Sequence, residues 1–190
     1  MKRARALLAA TALAACAHSD PTRFWTLEPL AGAPEPAVVA PVRVDGVRIP
    51  LTLDRQEVVQ TVGEGRVAVR DFDRWSAPLG SLMRQTLTQD LLARLPAGSV
   101  IFPAAPKPAN ARGIVVDVLD LTPAGGDLDL DVSWTLVSPG RPTPLQRREL
   151  RLHAPLAGPA VADLAAATSR LVAQLSDDIA THVAEGGAGE

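Results

Sequence analysis

The chain has 190 residues, of which 21% are charged, with a formal net charge of −2, a single cysteine and three histidines. One cysteine excludes an intramolecular disulfide and a cysteine-built metal site, and the lack of any basic block excludes the electrostatic footprint of a nucleic-acid binder. The length suits one domain with a core of its own.

The first residues have the layout of a secretory signal: Lys2, Arg3 and Arg5, then an apolar run at 6–14, then small residues. A helix needs ~20 apolar residues to cross a bilayer, so this run is a signal and not a span. Leu13-Ala14-Ala15-Cys16 resembles the lipobox of bacterial lipoproteins, in which the cysteine thiol is acylated and becomes the new N-terminus. The alternative is a plain signal peptide with a chance cysteine. Removing residues 1–15 lowers the basic count from 19 to 16 while all 21 acidic residues stay, giving a mature side-chain charge near −5. Burial of acyl chain is worth ~0.8 kcal/mol per CH₂, so two or three chains on Cys16 give durable attachment to membrane lipid.

Residues 16–40 read as a lipidated N-terminus and proline-rich tether, with 17–23 its polar part and Pro29, Pro34, Pro36 and Pro41 further on. Phe24 and Trp25 are expected to pack on the domain and not to dip into lipid. Short β-like runs follow at 42–49, 57–62 and 66–72, the last two parted by Gly63-Glu64-Gly65, a hairpin signal. Leu79, Leu82, Met83, Thr86, Leu87, Leu91 and Leu95 recur at helical spacing, with Ser76 expected as N-cap and Pro96 and Gly98 as the stop. A brief strand is expected at 99–102, before a proline-rich loop. Ile114, Val116 and Val118 alternate in one strand, and Leu128, Leu130, Val132, Trp134 and Leu136 in the next, which predicts one buried and one wet face. A strand at 146–153 and a helix at 159–184 complete the order, the helix carrying Leu164, Thr168, Leu171, Leu175, Ile179 and Val183 on one stripe, and 186–190 is read as a flexible tail. The expected fold is α/β: a single domain over 41–185, with a mixed β-sheet of about seven short strands covered by two main amphipathic helices.

No catalytic, cofactor or metal motif stands out, so the chain is read as not an enzyme. His18, His153 and His182 are scattered, and no nucleophile-elbow, zincin or P-loop pattern is present. Asp127, Asp129 and Asp131 match the first ligand spacings of a calcium loop. However, Val132 stands where that loop needs glycine and Ser138 where it needs glutamate, so a solvated strand face is the better reading. On an exposed strand these charges would also discourage edge pairing.

Two segments are more distinctive: Val47-Arg48-Ile49-Pro50-Leu51-Thr52-Leu53-Asp54-Arg55-Gln56-Glu57-Val58-Val59, and Asp71-Phe72-Asp73-Arg74-Trp75-Ser76-Ala77-Pro78-Leu79. Each holds an adjacent Asp-Arg pair in a turn. Arg55 and Arg74 can donate several hydrogen bonds, and Trp75 can cover the helix start. Their expected role is to pin loops to the sheet, with direct partner binding as the alternative.

These segments, together with the lipobox and the aromatic pair before Thr26-Leu27, resemble the ABC-type transport auxiliary lipoproteins over residues 13–95. The Phe24-Trp25 pair departs from the tyrosines expected there. The resemblance implies an α/β domain acting as a non-catalytic, outer-membrane-anchored subunit of an MCE-type lipid transport system. It also implies an MCE-domain periplasmic protein and inner-membrane transporter components as partners, and allows a homo-oligomeric ring. Ala17, in place of aspartate after the cysteine, fits outer-membrane sorting. The alternative is a self-contained periplasmic lipid carrier or structural envelope lipoprotein.

Overall fold

The strongest period-two pattern of the sequence forms the centre of the larger sheet in the computed structural model, which describes residues 20–36, 39–63 and 65–185. Cys16, His18, the signal segment and the 186–190 tail lie outside the described residues. β5 (Arg112–Ala124) and β6 (Asp127–Val137) pair antiparallel with Val116 opposite Trp134 and Leu121 opposite Leu130. They are joined by Gly125 and Gly126, both at positive φ (59° and 99°). A two-residue hairpin of this twist demands that conformation, and glycine supplies it without strain.

β2 (Val42–Arg48) lies parallel to β5, and β7 (Gln146–Pro155) runs antiparallel to β6, giving the order β2-β5-β6-β7. Val42, Val44, Ile114, Val116, Leu128, Leu130, Val132, Trp134 and Leu136 all point to the buried face. Against it lie α1 (Leu79–Arg94) and α2 (Val161–Glu185). Every residue of both predicted helical stripes is buried, and Leu171, Leu175 and Ile179 are fully so. Truncating one such leucine to alanine costs about 2–5 kcal/mol in transfer and cavity terms. Thr168 sits in the apolar stripe because its hydroxyl donates to the Leu164 carbonyl (2.8 Å).

β1 (Arg23–Trp25), β3 (Glu57–Gly63) and β4 (Arg66–Trp75) form a second sheet, ordered β1-β4-β3, with β1 parallel to β4 and β3 antiparallel to it. Among the described residues the seven strands and two helices make a single α/β domain, its strands shared between two mixed sheets. The expected strand at 99–102 shrinks to one bridge, Val100 beside Val42. Gly98 at φ 83° precedes it and Pro103, which has no N–H to offer, follows it, so pairing cannot extend. β1 takes the seventh place.

Three further expectations are corrected. The proline-rich stretch up to residue 36 is part of the folded body from Arg23 onward. Helix α1 begins at Leu79, with Pro78 and not Ser76 at its cap position and no side-chain bond from that residue. Instead, Asp54 Oδ1, arriving from the loop before β3, accepts from Gly80 N at 3.4 Å. Finally, β6 is a central strand, so Asp127, Asp129 and Asp131 guard no edge. Asp131 instead receives a two-pronged bond from Arg151 (2.6 and 2.7 Å), which holds its carboxyl below the usual range, and Asp129 faces His153 Nδ1 at 2.7 Å.

Candidate functional site

The chain leaves its N-terminal end by a run of specific polar contacts. Arg23 donates two bonds to Asp73 (2.9 and 3.0 Å) and the Trp25 indole N–H donates a third at 2.8 Å. Burial alone would push Asp73 up; the Trp25 and Arg23 bonds outweigh it and hold the carboxyl below its ordinary value. Trp25 therefore packs on the domain, as expected, but its neighbour Phe24 stays 66% exposed.

Residues 26–36 then run as a strap over the two helices. Glu28 N donates to Ser169 Oγ (3.1 Å), Leu30 N to Asp90 Oδ1 (2.7 Å), and Glu35 N to the Arg94 carbonyl (2.7 Å). Arg94 is 1% exposed and donates to Asp177 (2.6 Å) and to the carbonyls of Leu30, Asp90 and Ala173. A guanidinium has five N–H donors, and four acceptors fixed on the strap, α1 and α2 make this cation tolerable inside. Asp90, also fully buried, is raised by that burial, against the Leu30 bond and the Arg94 charge, which pull it down. No periodicity in the sequence marks the strap, because its order comes from helix side chains far along the chain.

The residues singled out from the sequence meet at the same end of the small sheet, one residue beyond Asp73 on β4, where Glu57 pairs with Arg74. Arg55 Nε donates to Glu57 Oε2 (2.8 Å), and Arg74 Nη1 lies 2.7 Å from Glu57 Oε1. The Arg55 bond, helped by the Arg74 charge, lowers Glu57 to about 2. Trp75 points the other way, 2% exposed, and its backbone N–H donates to the Gln56 carbonyl (2.7 Å). It borders a small, mainly apolar cavity of about 10 Å³ shared with Leu53, Val59, Leu79, Leu121 and Leu164. Arg55 and Arg74 thus join at the surface and Trp75 fills the core beneath them. The two Asp-Arg pairs divide the work, each aspartate holding a distant backbone or side chain and both arginines sharing Glu57. The role of Glu57 was not read from the sequence, although it stands two residues after Arg55, the spacing that puts two extended residues on one face.

Elsewhere the ionisable groups serve packing. Asp178 accepts from the Trp134 indole (2.7 Å) and twice from Arg148, fastening α2 to β6 and β7. His182 Nδ1 lies 2.7 Å from the Asp178 carbonyl and edge-on to Trp134. Among the described residues no group of three His, Cys, Asp or Glu could hold a metal ion, and no helix is long and apolar enough to cross a membrane. An open groove of about 490 Å³ runs between the strap and α2, lined by Trp25, Leu30, Ala162, Ala165, Ser169 and Arg170.

Solved structures share this architecture. A crystal structure of an uncharacterized protein is 18% identical with a TM-score of 0.71, covering 86% of this chain and 99% of its own. A protein of Xanthomonas campestris is 14% identical with a TM-score of 0.71, covering 88% and 97%. A hypothetical protein of Chlamydia trachomatis is 9% identical with a TM-score of 0.51, covering 80% and 100%. At these identities the likeness is one of fold. No curated protein matches the sequence with significance. The family model described as "ABC-type transport auxiliary lipoprotein component" matches residues 25–180, from the first packed indole to near the end of α2, and the chain belongs to that family.

Proposed function

We propose that this protein is an outer-membrane-anchored, non-catalytic subunit of an MCE-type lipid transport system, held on the membrane by acylated Cys16 and docking the trans-envelope machine there. The observation that carries the reading is the family match over 25–180 together with the Leu13–Cys16 lipobox pattern seven residues before β1. The strap supports it: β1 joins the small sheet seven residues after Cys16 and the chain is bonded to both helices from Glu28 and Leu30 on, so load on the domain passes to the lipid through a short link. The polar clusters also favour an adaptor, since Glu57, Asp73, Asp131 and Asp178 are each engaged by cations or indoles of the scaffold.

The test is an affinity pull-down of the tagged, membrane-extracted protein with mass spectrometric identification of partners. Recovery of an MCE-domain protein with inner-membrane transporter components is the expected result. The reading is overturned if none is recovered under conditions that preserve such complexes and deletion leaves envelope lipid handling unchanged. A self-contained lipid carrier draws on the groove between strap and α2, whose volume is in the range of small-ligand sites although its mouth is open. Lipid co-purifying with the unacylated domain would favour that second reading.

A further inference from the structure

The small sheet leaves apolar side chains in water on the hairpin formed by β3 and β4. Val62, Val67 and Val69 are all exposed, near a turn made by Gly63 and Gly65 at φ 86° and 71°. Val67 and Val69 share a face, opposite Thr61 and Val59. Arg66 stands exposed at the same tip. Phe72, further down β4, and Phe24 on β1 are exposed as well. The outer face of the large sheet is different in kind: it carries the pairs Arg48–Asp117, Arg151–Asp131, His153–Asp129 and Arg147–Glu149.

Chain direction says what the hairpin faces. β1 runs parallel to β4 with Arg23 opposite Asp73, so the residues before Arg23 enter from the side on which the hairpin tip lies. Seven residue steps separate Cys16 from Arg23, at most about 25 Å of chain. Seven steps also separate Arg66 from Asp73 along β4, about 23 Å of strand. The reach of the link and the projection of the hairpin therefore match, and a link that is not fully extended only draws the tip closer to whatever holds Cys16.

We propose that the β3–β4 hairpin tip, through Val62, Val67 and Val69, is a lipid-contact surface seated in the headgroup region of the bilayer that holds Cys16, with Arg66 directed to lipid phosphates. The inference rests on the acylation of Cys16 proposed above. Apolar side chains beside a cation, on an element already tethered to the membrane, are the combination that favours interfacial binding.

The acylated protein suits a direct test, because acylation consumes its one native thiol. Val67→Cys, Val69→Cys and, as a control on the charged face, Arg147→Cys are each labelled with an environment-sensitive fluorophore. Each is reconstituted into phosphatidylethanolamine–phosphatidylglycerol vesicles with and without brominated lipid. Blue-shifted emission and bromine quenching at positions 67 and 69, absent at 147, is the expected result. Co-flotation with vesicles but water-like, unquenched emission at all three positions overturns the proposal and leaves acylation standing. Emission shifted at 67 and 69 but blind to brominated lipid, with cross-linking between copies, also overturns it by assigning the tip to a protein neighbour. A mass showing no lipid on Cys16, with no flotation, defeats the acylation reading and this inference together.

Discussion

Gly32 lies flat against the guanidinium of Arg94: a Cβ on residue 32 would stand 2.4 Å from Arg94 Cζ. Arg94 cannot retreat cheaply, since it is buried and bonded to Asp177 and three carbonyls. Gly32→Ala is therefore expected to destabilise the domain by about 1–3 kcal/mol, the range for overpacking a filled site. Arg94→Leu is expected to cost about 3–5 kcal/mol, because it removes the cation beside the fully buried Asp90 carboxyl and takes a donor from the Leu30 carbonyl. Urea denaturation of the two variants checks both, and equal stability of Gly32→Ala and wild type would show that the strap is loosely held.

The surface node at Glu57 gives a pH-dependent signature. Its carboxyl is lowered from an ordinary 4.5 to about 2, first by the Arg55 bond. A depressed folded value means the native state favours the ionised form, so its contribution is present above about 4.5 and disappears as pH falls through about 2. Glu57→Gln is expected to lower Tm modestly at pH 7 and to match wild type near pH 2. A difference in Tm that stays constant across this window would mean that Glu57 acts through shape alone.

The sequence was readable wherever a period met a single burial decision. Alternation across 128–136 and the 3.6-residue stripes of both helices translate directly into the buried face, since each residue there answers only to inside or outside. The strap, the division into two sheets and the Asp54 cap were not legible, because each depends on a partner dozens of residues away. Leu30 and Asp90 are 60 apart and Gly80 and Asp54 are 26 apart, and no local window contains such pairs. Of the candidate residues, Arg55, Arg74 and Trp75 were visible as an unusual local composition, but their meeting through Glu57 required the β3–β4 register.

That register predicts how the same residues behave under mutation. Trp75→Ala empties a side chain between both sheets and α1, and is expected to cost about 3–5 kcal/mol. Arg74→Ala removes only a half-exposed partner of Glu57 and is expected to cost about 1 kcal/mol or less. Pin-loop roles require partner recovery from membranes to fall only in step with these losses. Unchanged thermal stability with lost partner binding for Arg74→Ala or Arg55→Ala would instead assign the node to an interface.

Asp90 offers the opposite sign to Glu57. Burial raises its carboxyl above the ordinary 3.8, against the pull of Leu30 N–H and Arg94. A raised folded value means the native state binds the proton more readily, so the group's contribution is fullest below about 3.8 and is lost as pH rises through the folded value. Asn at this position keeps an oxygen for Leu30 N–H and carries no charge to desolvate. Asp90→Asn is thus expected to be more stable than wild type at pH 7, with the advantage shrinking toward pH 3, where the wild-type carboxyl is already protonated. Denaturation midpoints at the two pH values decide the matter: a variant weaker than wild type at pH 7 would show that the attraction between Asp90 and Arg94 outweighs the burial of the carboxylate.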